Sequence, residues 1–168
     1  MTRANLPALG YVYVALGLPA LLFGLNHPGA VSAFFTGAAF AYVWFLASLR
    51  ARLIRFDPEG FFASAVVVGG GAFIALQALA LLLARPQLEA PASACAATVI
   101  IGSSLGAWQA RKIPRWFRQA GVAGGIAVLG VGIAEGAGGW TFAGDAVFAS
   151  SLGFMVWVVV AATYLLRR

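Results

Sequence analysis

From Phe61 to Ala84 the chain carries only one strongly polar side chain, Gln77. That stretch limits the fold more than any other feature. A helix needs roughly 20 predominantly apolar residues to cross the hydrocarbon core of a bilayer, and in lipid it satisfies all of its own backbone polar groups. Five further apolar runs accompany it, so that the six occupy about 8–25, 30–49, 60–84, 91–109, 119–137 and 145–166. The runs are continuous, whereas a transmembrane β-barrel shows short segments of alternating polarity. The expected fold class is all-α: a polytopic transmembrane bundle of six helices, read as a single transmembrane domain over residues 1–168.

Composition supports the same solvent. Hydrophobic residues make up 62% and charged residues 10% of the 168 positions, where soluble domains run near 45–50% apolar and about 25% charged. A water-soluble domain of this size keeps too much surface exposed to hide so much apolar side chain. Cys95 is the only cysteine, which rules out an intrachain disulfide and a cysteine-clustered metal site. It reads as a buried structural thiol.

The breaks between runs carry turn chemistry. Asn26-His27-Pro28-Gly29 separates the first two, Asp57-Pro58-Glu59-Gly60 precedes the third, Arg85-Pro86 and Pro91 flank the next, Pro114 follows, and Gly136 to Gly139 opens the last. Six of the seven prolines fall at or near these boundaries, as expected of a residue that cannot donate to a helix ladder. Pro19 lies inside the first run and is expected to kink it. That run follows Arg3 and precedes the small residues of 30–33, like a secretory signal. It is longer than the typical 7–15-residue signal core, however, and reads as a retained helix.

The charges give the bundle an orientation. With a cytoplasmic start, six spans place Arg3, Arg50, Arg52, Arg55, Arg111, Lys112, Arg115, Arg118, Arg167 and Arg168 inside and leave only Arg85 outside, ten of eleven basic residues. The positive-inside rule then puts both termini in the cytoplasm. Glu89, Glu135 and Asp145 fall on the outer side. Trp44, Trp108 and Trp116 lie near the inner boundary and Trp140 near the outer one, where aromatic belts form.

Small residues recur at four-residue spacing in Ala33/Gly37/Ala41, Gly102/Gly106, Gly121/Gly125 and Gly132/Gly136, a spacing that lets helix backbones approach closely. The two halves also share a faint pattern: an apolar run, a basic loop with an aromatic after an arginine (Arg55-Phe56, Arg115-Trp116), then a Gly/Ala/Val-rich helix. Three spans per half would make this a parallel 3+3 repeat, a form known in transporters.

Residues able to do chemistry are few. There is no phosphate-binding loop, dinucleotide fingerprint, zincin pattern or nucleophile elbow, so neither a catalytic residue nor a cofactor or metal is assigned. His27, Glu89, Glu135 and Asp145 share the expected outer side and form the candidate ligand or proton site. Glu135 weighs most, because an ionisable group inside a span is costly and by default functional; Asp145 also suits the start of a helix. Gln77, Thr98, Ser103 and Ser104 are mid-membrane polar groups suited to interhelical hydrogen bonds. Arg50, Arg52, Arg55, Arg111, Lys112, Arg115, Trp116 and Arg118 suit contact with anionic lipids of the cytoplasmic leaflet. Topology accounts for these charges, so no nucleic-acid partner is expected.

The stretch Lys112-Ile113-Pro114-Arg115-Trp116-Phe117, followed by a Gly-rich helix, resembles a loop in uncharacterised multi-helix membrane proteins of GC-rich bacteria. The resemblance implies the cytoplasmic (inner) membrane of a bacterium and carries no activity with it. The leading expectation is a non-catalytic accessory or structural subunit that packs against membrane partners, lipids or pigments, as a homo-oligomer or with other subunits. A small-solute or proton-linked transporter or channel is the alternative, and a lipid- or quinone-directed enzyme the third.

Overall fold

A computed structural model describes residues 6–23, 28–83, 88–109, 113–136 and 143–166. They form six α-helices and no strand among the described residues: α1 (Leu6–Phe23), α2 (Pro28–Leu53), α3 (Phe61–Leu83), α4 (Glu89–Gly106), α5 (Arg115–Gly136) and α6 (Ala143–Ala161). A single 3-10 turn, Ala107–Gln109, ends α4, and a π-helical turn, Ala162–Leu166, ends α6. Three prolines sit at helix starts, where a missing N–H does least harm. Pro28 is the first residue of α2, Pro91 the third of α4, and Pro114 directly precedes α5. α1 continues through Pro19 as a helix from Leu6 to Phe23.

α2 extends past its apolar run to Leu53, so Arg50 and Arg52 lie on its last turn. Cations are favoured there by the negative end of the helix dipole. The turn into α3 is built by Asp57 and Gly60. The Asp57 carboxylate accepts the Phe62 N–H at 2.8 Å, satisfying one of the unpaired amides at a helix start. Gly60 adopts φ +72°, a region that costs other residues roughly 1 kcal/mol.

Among the described residues three helices are long and apolar enough to cross a membrane: Val31–Leu53, Phe61–Leu83 and Arg115–Ala134. The apolar segments in α1 and α6 are shorter, Ala8–Ala20 and Ser150–Leu165. The sequence expectation was six such spans. α4 departs from it for a physical reason: ten of its 18 residues are buried, among them Ser93, Ser103 and Ser104. In the most apolar stretches of α3 and α5, by contrast, only 28% is buried. α4 lies against α2, α3, α5 and α6. A helix enclosed by other helices can carry small and weakly polar residues, while one facing outward in lipid must be apolar.

The α4–α5 contact depends on glycine. A Cβ on Gly121 would run into Ser104 and the Trp157 indole, one on Gly125 would collide with Ile101, and one on Gly132 would lie 2.7 Å from the Ser93 Cβ and 3.1 Å from the Ala90 carbonyl oxygen. Three glycines on one side of α5 thus let it lie directly on α4. Gly102 and Gly106 do the same for α4 against α3, each with a Cβ position 3.1 Å from Val66 or Phe62. Helix association in lipid relies on such close approach, because apolar side chains are already in an apolar solvent.

Aromatic rings fill the middle. Tyr13 of α1 lies 4.9 Å from Tyr42 of α2, Tyr42 lies 6.0 Å from Phe73 of α3, and Phe73 lies 4.7 Å from Phe154 of α6. These tilted and edge-on pairs are worth roughly 0.5–1.5 kcal/mol each beyond their burial. α1 is part of the bundle: its Gly10 packs on Ala162 and Gly17 on Met155, and Tyr11 shares a 2.8 Å hydrogen bond with Thr163.

The glycine contact yields a prediction of opposite signs on adjacent residues. A Cβ on Gly124 meets nothing within 4 Å, whereas one on Gly125 meets Ile101 and the Ala97 carbonyl. Gly124→Ala should stabilise the purified protein in detergent by about 0.5–1 kcal/mol, the ordinary gain of alanine in a helix. Gly125→Ala should destabilise it by about 1–3 kcal/mol through overpacking. Unfolding midpoints that move in the same direction for both would contradict the assigned contact.

Candidate functional site: two chemically distinct ends of the bundle

The helix order brings like chemistry to each end. At one end lie the close of α2, the start of α3 and the close of α4, since the Cβ position of Gly106 falls 3.1 Å from both Leu53 and Phe62. The start of α5 joins them through α6: Trp116 packs edge-on against Tyr164 at 5.1 Å, and Phe117 lies 4.7 Å from Trp157. Arg50, Arg52, Arg55, Arg115 and Arg118 therefore share one end of the molecule. Arg111 and Lys112 lie outside the described residues.

Within that basic end, Arg52 stacks over Phe56 at 5.2 Å, and its Nε is buried without a hydrogen-bond partner among the described residues. Arg118 lies over the Trp108 ring at 5.0 Å and donates from Nη1 to the Trp108 carbonyl at 2.6 Å. A cleft of about 390 Å³ opens between the 3-10 turn and α5, lined by Trp108, Arg115, Arg118 and Gln119. No ion pair joins an arginine to a carboxylate among the described residues.

At the opposite end Gln77, in the last third of α3, donates from Nε2 to Glu89 Oε2 at 2.7 Å. Glu89 is the first residue of α4 and acidic charge suits that position. Beside this pair is a cavity of about 10 Å³, lined in part by Gln77, Ser93, Ser150 and Ser151 and by Phe73 and Phe154. Its size is that of one water molecule, far below the roughly 300–1,000 Å³ of ligand pockets. The Ser93 and Ser150 hydroxyls approach to 3.5 Å. Phe73 and Phe154, whose rings lie 4.7 Å apart, line the cavity and belong to the aromatic core.

Of the sequence-derived outer set, the structure describes one side chain, Glu89, and pairs it with Gln77. His27 and the side chains of Glu135 and Asp145 lie outside the described residues; along the backbone Glu135 is in the last turn of α5 and Asp145 in the first turn of α6. The mid-chain polar groups are bonded. Ser103 donates to the Val99 carbonyl at 2.7 Å, with a second approach to Ile100 at 3.0 Å, and Ser104 donates to Ile100 at 2.6 Å. Thr98 donates to Ala94 at 3.0 Å. Ser103 additionally accepts the Trp157 indole N–H at 3.1 Å, a hydrogen bond between α4 and α6.

Sequence reasoning passed over three residues that the structure brings forward: Tyr42, Trp157 and Gln119. Trp157 and Gln119 gave no signal, because their partners lie on other helices or across a turn. Tyr42 could have been noticed as a hydroxyl in the middle of an apolar run. It is 0% exposed and its hydroxyl has no hydrogen-bond partner among the described residues. A buried polar atom left unbonded ordinarily costs about 1–3 kcal/mol. Tyr42→Phe, which keeps the ring contacts, should therefore leave stability unchanged or raise it by about 1 kcal/mol. A loss of more than that in detergent unfolding would mean that the hydroxyl is bonded in the native protein.

No protein-family profile matches the chain, and neither a curated protein nor a solved structure shows significant similarity to it.

Proposed function

We propose that the chain is a multi-pass protein of the bacterial cytoplasmic membrane, with both termini on the inner side, and that it serves as a non-catalytic accessory subunit. One observation carries this reading: an apolar circumference surrounds an interior filled with aromatic rings. Leu82 is 81% exposed, Val68 72% and Phe40 68%, while Tyr42, Phe45 and Phe154 are 0–1% exposed. Contiguous exposed apolar surface marks contact with a membrane or with other proteins. The filled interior suits a body that packs against lipids, pigments or membrane proteins more than one that conducts a solute.

Clustering of the described arginines at one end supports the orientation, because basic residues accumulate at the cytoplasmic side. The second reading is a proton-linked transporter. The Gln77–Glu89 pair beside a water-sized cavity favours it, as does the pattern of a parallel 3+3 repeat; the Phe73 and Phe154 rings that line the cavity weigh against it.

Extraction of the native protein into lipid nanodiscs, followed by native mass spectrometry, tests the leading reading. The expected result is a stoichiometric partner, either a second subunit or a further copy of the chain. Recovery only as a lone monomer would oppose the accessory role. Proton flux in liposomes that is lost on Glu89→Gln would favour the transporter instead.

A further inference from the structure

The first turn of α5 is electrostatically unusual. Arg115 and Arg118 both occupy it, and no acidic residue does. The N-terminus of a helix carries roughly half a positive charge, so cations there are unfavourable and an anion is favoured. The two arginines lie three residues apart, on neighbouring positions of one helix face. No carboxylate pairs with either among the described residues. Like charges arranged in this way favour an anionic counterpart.

The cleft beside them has the chemistry to hold such a counterpart. It measures about 390 Å³ and is lined by Trp108, Arg115, Arg118 and Gln119, within the range of small-molecule sites. Arg118 is fixed on one side by its bond to the Trp108 carbonyl. That bond uses one of five N–H donors on the guanidinium, leaving the others for the cleft. Arg115 is exposed. Trp108 is 54% exposed, and an indole in that state is suited to the level of lipid headgroups. Arginine forks match phosphate oxygens in pairs.

We propose that this cleft binds the phosphate headgroup of an anionic phospholipid, held by Arg115 and Arg118 with Trp108 against the acyl–glycerol junction. The proposal rests on the reading that this end faces the anionic inner leaflet, and it deepens that reading from diffuse attraction to one built site. Basic pockets between helices on the cytoplasmic side are known to take anionic headgroups. Free inorganic phosphate offers the same oxygens but has no acyl chain to anchor beside the indole. The lipid is therefore the ligand we assign.

The test uses the full chain in nanodiscs of zwitterionic phosphatidylcholine, with phosphatidylglycerol titrated in and bound lipid counted by native mass spectrometry. Wild type should retain phosphatidylglycerol selectively. Arg115→Gln and Arg118→Gln should each lower that retention by at least about ten-fold, the loss expected for a direct charge-assisted hydrogen bond. Arg50→Gln and Arg55→Gln, at the same end but outside the cleft, remove only diffuse attraction to the leaflet and should lower it by a clearly smaller factor than either cleft variant. Millimolar inorganic phosphate should not displace the lipid. Arg115→Gln removes no hydrogen bond seen in the fold, so it keeps the test valid if Arg118→Gln unfolds the protein. Equal losses at all four arginines, no loss at Arg115, or displacement by phosphate would each overturn the site. Failure of the membrane reading is told apart by alkaline carbonate extraction of the wild type, which would then release the protein whatever its lipid count.

Discussion

In lipid an apolar side chain gains nothing by leaving its solvent, so two helices stay together only where their surfaces fit closely. In this chain that fit is made where Gly121, Gly125 and Gly132 lay α5 on α4. Much else follows from it. It encloses α4, which can then carry Ser93, Ser103 and Ser104 as buried residues. It sets α5 beside α6, so that Phe117 meets Trp157 and Trp157 reaches Ser103. It also brings the first turn of α5 up to the 3-10 turn after α4, which forms the cleft of Trp108, Arg115, Arg118 and Gln119. Side chains at those three glycines would push the helices apart and dissolve each of these arrangements.

The two ends of the bundle separate its polar chemistry. Five described arginines and Trp108 collect at one end, beside Asp57 and Glu59 in the turn before α3, while Glu89, Gln77, Ser93 and Ser150 lie at the other. Between them the rings of Tyr13, Tyr42, Phe73 and Phe154 occupy the centre. A continuous polar route from one end to the other is not part of what the described residues build.

The helical architecture was legible in the sequence because length and continuity of apolar runs are local properties. Turn residues such as Asp57 and Gly60 were legible for the same reason, and the structure shows them entering α3 through a carboxylate–amide bond and a positive φ. Packing faces were not. Where a helix is apolar on every side, periodicity does not tell which side meets a neighbour. The four-residue glycine spacings pointed to close approach, but only the fold distinguishes Gly125, against Ile101, from Gly124, against nothing. α4 reads from sequence as one more span, while its position against four other helices is what lets it bury Ser93, Ser103 and Ser104. Glu89 was singled out for its side of the membrane; its partner Gln77 was read as a mid-membrane group, and the pairing depends on how α3 and α4 align.

The central claim is that α3 crosses a membrane with the basic end of the bundle on the cytoplasmic side. Single cysteines at Glu59, in the turn before α3, and at Gln87, in the segment after it, test this directly in a Cys95→Ser background. A membrane-impermeant maleimide applied to intact cells should label the cysteine at 87. The cysteine at 59 should react only after the cells are opened. Labelling of both from the same side would contradict the crossing, and the reverse pattern would contradict the orientation.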